Sequence, residues 1–475
     1  MVIRHSIYYF LAKGLPGVIN LAALMLFTRM LTPETYGQYS LVIAGVSLGY
    51  VALYQWLQLG ILRFYPQYKE KNREFLTSIF LTFLLITIVV TLLVLFSLLF
   101  IESLDLKLLY AVGIIVLWFW AFHELNLELV RIQSKPSQYA VYGFIKSIGT
   151  ITLGALFIWI GLQTMGVLAG MLIALLLSSI RGAFKHWPLP NVKFFDLGII
   201  QELLKYGLPL IATFALSFII SSSDRFIIGW ILNTEAVGEY SAGYDITSHT
   251  LGIIMVIINL AAYPLVIQAL ESKGEVEARG QLSKNFTLLM AVSIPATVGL
   301  AVLAAPVAGV FLGESFRGTA ITLIPWVAAA TLLSGLKAYY FDLSFQLGKK
   351  TYIQIWSVAI AAVVNIILNM LWIPLYGVLG AAYATLGAYM AALIVSIVLG
   401  KKVFELPVPL MDLIKIILAA LVMGLVISAV PYDDIGNIYI SLLASSLVGC
   451  VSYILMMLVL NASHSRAYLR SLLPK

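Results

Sequence analysis

One pattern in the chain recurs after a long interval. Gly14-Leu15-Pro16, followed by Glu34-x-x-Gly37-Gln38-Tyr39-Ser40, returns as Gly207-Leu208-Pro209 followed by Glu235-x-x-Gly238-Glu239-Tyr240-Ser241. Gly166-Val167-Leu168-Ala169-Gly170 is matched by Gly377-Val378-Leu379-Gly380-Ala381. Glu128, seven residues ahead of Lys135, is matched by Asp342, seven ahead of Lys349. Self-similarity at so long an interval describes two like halves. The chain is also 61% hydrophobic and 11% charged, whereas a soluble domain is about 45–50% apolar and about 25% charged. Two halves this apolar are expected to be membrane bundles.

A spanning helix needs about 20 apolar residues. Fourteen such segments begin near residues 7, 38, 76, 108, 139, 165, 206, 239, 286, 319, 351, 378, 413 and 437. The first apolar run continues to about Leu31 without an early small-residue cleavage site, so the N-terminus is expected to be retained. With that terminus inside, twenty-one of the 29 basic residues fall in inner loops and three, Arg29, Lys107 and Arg317, in outer ones. Lys13, Lys146, Arg225, Lys337 and Lys415 lie within apolar segments. The positive-inside bias therefore places both termini in the cytoplasm.

The expected fold is an all-α polytopic membrane protein of fourteen helices. It comprises two pseudo-symmetric six-helix bundles, 1–186 and 206–402, a cytoplasmic linker, 187–205, and a terminal helix pair with its tail, 403–475. Six is even, so both halves enter from the same side. Pro16 and Pro209 sit at matching places, where a missing N–H and a ring clash permit either a bend or ordinary first-turn placement. The single cysteine, Cys450, excludes intrachain disulfides and thiolate metal sites. His5, His123, His186, His249 and His464 are scattered without ligand spacing, so no metal is expected. The basic residues follow topology rather than forming a patch, which argues against a nucleic-acid partner.

Arg29-Met30-Leu31-Thr32-Pro33-Glu34-Thr35-Tyr36-Gly37-Gln38-Tyr39 follows the first segment and Arg63 the second. Ser223-Asp224-Arg225-Phe226-Ile227-Ile228-Gly229 lies in the seventh, followed by Val237-Gly238-Glu239-Tyr240. In this order they resemble the polysaccharide repeat-unit flippases, the Wzx-type branch of the multidrug/oligosaccharidyl-lipid/polysaccharide exporter superfamily. The resemblance covers the whole chain. It implies a non-enzymatic flippase of the bacterial inner membrane. Such a protein carries an undecaprenyl-diphosphate-linked oligosaccharide from the inner to the outer leaflet by alternating access, for O-antigen, capsule or exopolysaccharide synthesis. It further implies membrane lipids and polysaccharide polymerase machinery as partners, no cofactor, and coupling to protons or sodium.

An ionised group at the bilayer centre costs about 2.5–3.5 kcal/mol on insertion scales, so such groups face cavities or partners. Lys13, Lys146 and Lys337 lie at similar depth in the cytoplasmic portions of helices one, five and ten, with Glu124, Glu128 and Asp342 near that depth. Under the resemblance, these lysines receive the diphosphate from the inner leaflet, and Arg225 and Arg29 stabilise it when the cleft opens outward. The other reading of the lysines is pairing with those carboxylates, or snorkelling. Asp224 and Asp342 are read as structural ion-pair partners. Glu124 beside His123, and Asp245 four residues before His249, are candidate coupling-ion sites, because a buried carboxylate has a raised pKa and a histidine titrates near neutrality.

Trp118, Phe119, Trp120, Phe122, Tyr339, Tyr340 and Phe341 collect on the repeat-related helices four and ten, where an aromatic belt, packing or sugar stacking are all open. A cation-coupled multidrug exporter of the same superfamily is the first alternative function. A membrane polysaccharide polymerase or glycosyltransferase is the second, although the short outer loops leave little room for its catalytic groups.

Overall fold

The structure, a computed structural model, describes residues 17–429 and 436–462. Lys13 and Pro16 lie outside these. The chain packs as two compact units, the first ending at Gly238 and the second beginning at Glu239.

The first unit holds α1 (Gly17–Met30), α2 (Pro33–Leu53), α3 (Gln55–Phe64), α4 (Asn72–Leu98), α5 (Leu104–Ile132), α6 (Pro136–Phe157), α7 (Gln163–His186) and α8 (Leu197–Ile231). α8 begins within the polar stretch that the sequence marks as a linker, after a 3-10 turn at Val192–Phe194. α9 (Thr234–Thr247) starts at the end of this unit, and a π-type turn, Ser248–Gly252, leads on to α10 (Ile253–Lys273). The second unit continues with α11 (Glu275–Val302), α12 (Ala304–Phe311) and α13 (Glu314–Leu336). A second π-type turn, Lys337–Phe341, precedes α14 (Leu343–Leu347), α15 (Gln354–Tyr376), α16 (Val378–Lys401), α17 (Leu410–Ser428) and α18 (Ile438–Val459).

Among the described residues, 12 helical stretches are long and apolar enough to cross a membrane, and Gly17–Met30 is a shorter apolar helix. The longest stretch, Pro136–Ile180, is α6 and α7 folded back at Gly161 and Gln163, whose φ values are 97° and 44°. An all-helical polytopic fold follows from the need to satisfy every backbone polar group within hydrocarbon.

The repeated motif has a local cause. Thr32 caps α2, accepting from the Thr35 N–H, with Pro33 in the first turn. Asn233 caps α9 in the same way, accepting from the Ala236 N–H at 2.8 Å. Each motif is thus a helix start whose orphan N–H groups are met by a side chain. Gly37 and Gly238 then meet reciprocally: a Cβ on Gly37 would strike the Thr234 carbonyl, and one on Gly238 the Pro33 carbonyl.

Each unit has its own core. In the first, Leu57, Ile61, Phe75, Ile79, Val116, Leu125 and Leu203 are fully buried. In the second, Leu251, Met255, Val266, Leu282 and Ile416 are. Lipid offers no hydrophobic drive between helices, so close approach depends on small residues. α15 and α16 meet this need with buried Ala361, Ala362, Ala381, Ala384 and Ala388.

Candidate functional site

The first unit concentrates its buried polar groups where α2, α3, α5, α6 and α7 meet. Glu124 and Glu128, one turn apart, lie on one face of α5. Glu128 is 4% exposed and receives Gln58 Nε2 at 3.2 Å and Arg131 Nη1 at 3.4 Å. The Tyr50 hydroxyl in turn donates to Gln58 Oε1. Lys146 of α6 reaches Glu124 Oε1 at 3.4 Å and stands over the Trp120 ring, 4.4 Å from its centroid. An ammonium locked to a carboxylate sits at about 2.7–2.9 Å. This contact is looser and about one fifth exposed, with side-chain accessibilities of 20% and 22%. The geometry offers a cation with an aromatic backing and a partner it can exchange.

Beside it, His123 is fully buried, with Nδ1 3.0 Å from Ser178 Oγ and 3.4 Å from Ser179 Oγ. Asn126, three residues on, accepts from Trp187 Nε1 at 2.8 Å.

The repeat-related centre in the second unit is tighter. Lys337 Nζ donates to Asp342 Oδ2 at 2.7 Å, with side-chain exposures of 9% and 2%. Asp342 also receives Gln354 Nε2 at 2.9 Å and Ser396 Oγ at 2.7 Å. In the π-type turn the Asp342 N–H bonds the Lys337 carbonyl at 2.9 Å, which brings residues five apart onto one face. Here the carboxylate is held by three donors and the ammonium is committed.

The structure therefore joins Lys146 to Glu124 and Lys337 to Asp342. Lys13 lies outside the described residues. Arg29 is exposed at the end of α1. Asp224 is buried in α8 beside the half-buried Arg225, and both are engaged by neighbouring groups. Asp245 in α9 and His249 in the following π-type turn are half-buried. Sequence reasoning missed Tyr50, Gln58, Gln354 and Ser396. Their only sequence signal is that Gln58 and Ser396 are polar residues within apolar helices. Of the aromatics, Trp120 backs Lys146, Phe122 packs on Phe80, Phe83 and Trp187, and the Tyr340 hydroxyl donates to the Pro407 carbonyl. Among the described residues, no group of three or more His, Cys, Asp or Glu is placed to hold a metal ion.

Two groups outside the spans are perturbed. Burial pushes the His186 imidazole below its ordinary range, helped by Lys135 and Lys185. The Tyr68 hydroxyl donates to Glu202 at 2.6 Å, and that bond pushes its pKa up to about 12.

The model of a family described as "Polysaccharide biosynthesis protein" matches residues 26–321. A Shigella flexneri protein, named as a candidate O-antigen transporter, is 21% identical over 80% of this chain and 93% of its own. The Haloferax volcanii protein Agl15, named as a candidate flippase of low-salt glycan biosynthesis, is 24% identical over 55% of this chain and 54% of its own; the chain thus spans about half of that relative. In structure, the chain matches the lipid II flippase MurJ in its inward closed conformation with a TM-score of 0.79. That match runs at 18% identity and covers 97% of this chain and 99% of that one.

Proposed function

The chain belongs to the polysaccharide biosynthesis protein family, and from that premise we propose that it is a flippase for a lipid-linked oligosaccharide. The cargo is an undecaprenyl-diphosphate-linked repeat unit, moved from the inner to the outer leaflet of a bacterial inner membrane by alternating access. The product feeds O-antigen, capsule or exopolysaccharide synthesis, with a polysaccharide polymerase as the next consumer. In this reading the chain crosses the membrane fourteen times with both termini cytoplasmic, and it performs no covalent chemistry.

The observation that carries the reading is Lys146, a cation held loosely within the membrane by Glu124 and backed by Trp120. A diphosphate bridge is anionic, and a low-dielectric wall focuses the field of a cation on it. Lys146 exchanges Glu124 for the diphosphate, which frees the Glu124 carboxylate to take up a coupling proton or sodium ion. Arg225 and Arg29 stabilise the anion on the outer side, and Lys13 joins Lys146 on the inner. Lys337 instead holds Asp342 and shapes its own bundle. Asp245 and His249 are a second place for the coupling ion.

Mass spectrometry of undecaprenyl-linked oligosaccharides in a depleted host tests the proposal. Intact repeat units should accumulate and finished polymer fall, both restored by the wild type and not by Lys146→Ala. Unchanged lipid-linked pools in a host with no second flippase would overturn it in favour of multidrug export.

A further inference from the structure

A cavity of about 490 Å³ lies in the first unit, lined by Phe80, Phe83 and Thr87 of α4, Trp118, Phe119 and Phe122 of α5, and the chain at 187–190, and not by Lys146, Glu124 or Trp120. Trp187 fixes its level, packing on Phe80 and Phe122 with ring centroids 5.6 and 5.9 Å away. From Phe80 to Thr87 the groove climbs about 10 Å along α4 at 1.5 Å per residue. It thus runs from the level of the 187–190 connection into the hydrocarbon, on the side that carries the basic loops.

The connection that borders it does not hide its apolar groups. Leu189, between Pro188 and Pro190, is 86% exposed, and Val192, the first residue of the 3-10 turn, 76%. A loop with such residues lies in the membrane interface, where apolar side chains reach acyl chains and basic ones reach phosphates. Lys185, in the last turn of α7, and Lys193, in the 3-10 turn, flank it on both sides and are exposed. Arg73, at the start of α4, stacks 4.0 Å over the Phe194 ring and ties this connection down. Exposed cations before and after the lining segment in the chain, together with an aromatic trough, complement an anion that carries a hydrocarbon chain.

We propose that this groove is a seat for an anionic phospholipid of the cytoplasmic leaflet, with one acyl chain along Phe80, Phe119 and Phe122 and the phosphate between Lys185 and Lys193. The lipid would brace the connection at 187–196 against α4 and α5. This assignment does not depend on the transported cargo.

Tryptophan quenching in the full-length protein tests it, in vesicles containing equal fractions of phosphatidylglycerol or phosphatidylcholine with brominated chains. Brominated phosphatidylglycerol should quench in excess of brominated phosphatidylcholine. The excess should disappear in the Trp118→Phe/Trp187→Phe double variant and fall in Lys185→Gln/Lys193→Gln, whose exposed side chains leave the fold intact. Equal quenching by the two lipids overturns the proposal, as does an excess that survives the tryptophan double variant or is undiminished in the lysine double variant. An excess abolished by added polyprenyl diphosphate would assign the groove to that carrier and overturn the phospholipid assignment.

Discussion

Replacing Lys337 with Met removes the only charged one of the three donors on Asp342 and leaves a carboxylate 2% exposed with Gln354 and Ser396 to hold it. Breaking a buried pair from one side costs about 3–5 kcal/mol, because the remaining charge is stranded. Asp342→Asn in the same chain removes that charge and keeps an oxygen for Gln354 or Ser396. What remains is about one unsatisfied polar group, worth about 1–3 kcal/mol. The double variant Lys337→Met/Asp342→Asn is therefore expected to be more stable than Lys337→Met alone by about 2 kcal/mol, the difference between the midpoints of those costs, and to fall short of the sum of the two singles, as contacting residues do. Reversible unfolding of the purified protein by SDS titration measures both. A Lys337→Met variant within about 0.5 kcal/mol of wild type, or a double variant equal to the sum of the singles, would refute the reasoning. If the double variant is folded yet flips nothing, Lys337 touches the cargo as well as Asp342.

Lys146→Met should abolish flipping and cost less stability than the about 3–5 kcal/mol of a fully buried pair broken from one side, since its Glu124 partner keeps a fifth of its side chain exposed; a loss as large as that of Lys337→Met would mark it as a structural pair instead. Gly37→Ala should destabilise the first unit, because its Cβ would overlap the Thr234 carbonyl. A variant with wild-type unfolding would show that these helix starts separate at no cost. His186 is held neutral by burial and by Lys135 and Lys185, while the unfolded chain binds a proton near pH of about 6.5. Its contribution is full above that value and declines as pH falls towards the lowered folded value, so His186→Gln should flatten the stability profile there. An unchanged slope would count against the burial argument. Tyr68, raised to about 12, should titrate late in ultraviolet absorbance, and Glu202→Gln should bring it back towards about 10.

The apolar segments were legible as helices because hydrocarbon permits no other way to satisfy the backbone. The repeated Glu-x-x-Gly motif was legible as structure for an equally local reason: it is a helix cap followed by a glycine, and capping is decided within four residues. Register was less legible. Sequence matches Gly166 to Gly377, but in space Gly166 faces Ile158 as Gly380 faces Trp372, each across eight residues of its own hairpin. The two hairpins differ at their bends, with positive φ at Gly161 and Gln163 in one and at Gly377 in the other.

The polar centres divide along the same line. Composition and spacing by themselves determined that carboxylates and lysines fall within apolar helices, because position along a helix follows from counting residues. They could not determine which ones bond. Residues five apart on an α-helix point about 140° from each other, so nothing in the spacing joins Lys337 to Asp342; the π-type turn does. Gln58 reaches Glu128 from seventy positions away, and Ser396 reaches Asp342 from fifty-four. Position along a helix is a property of one helix and is written in its sequence, whereas partnership is a property of two helices packed together and is set only by the tertiary structure.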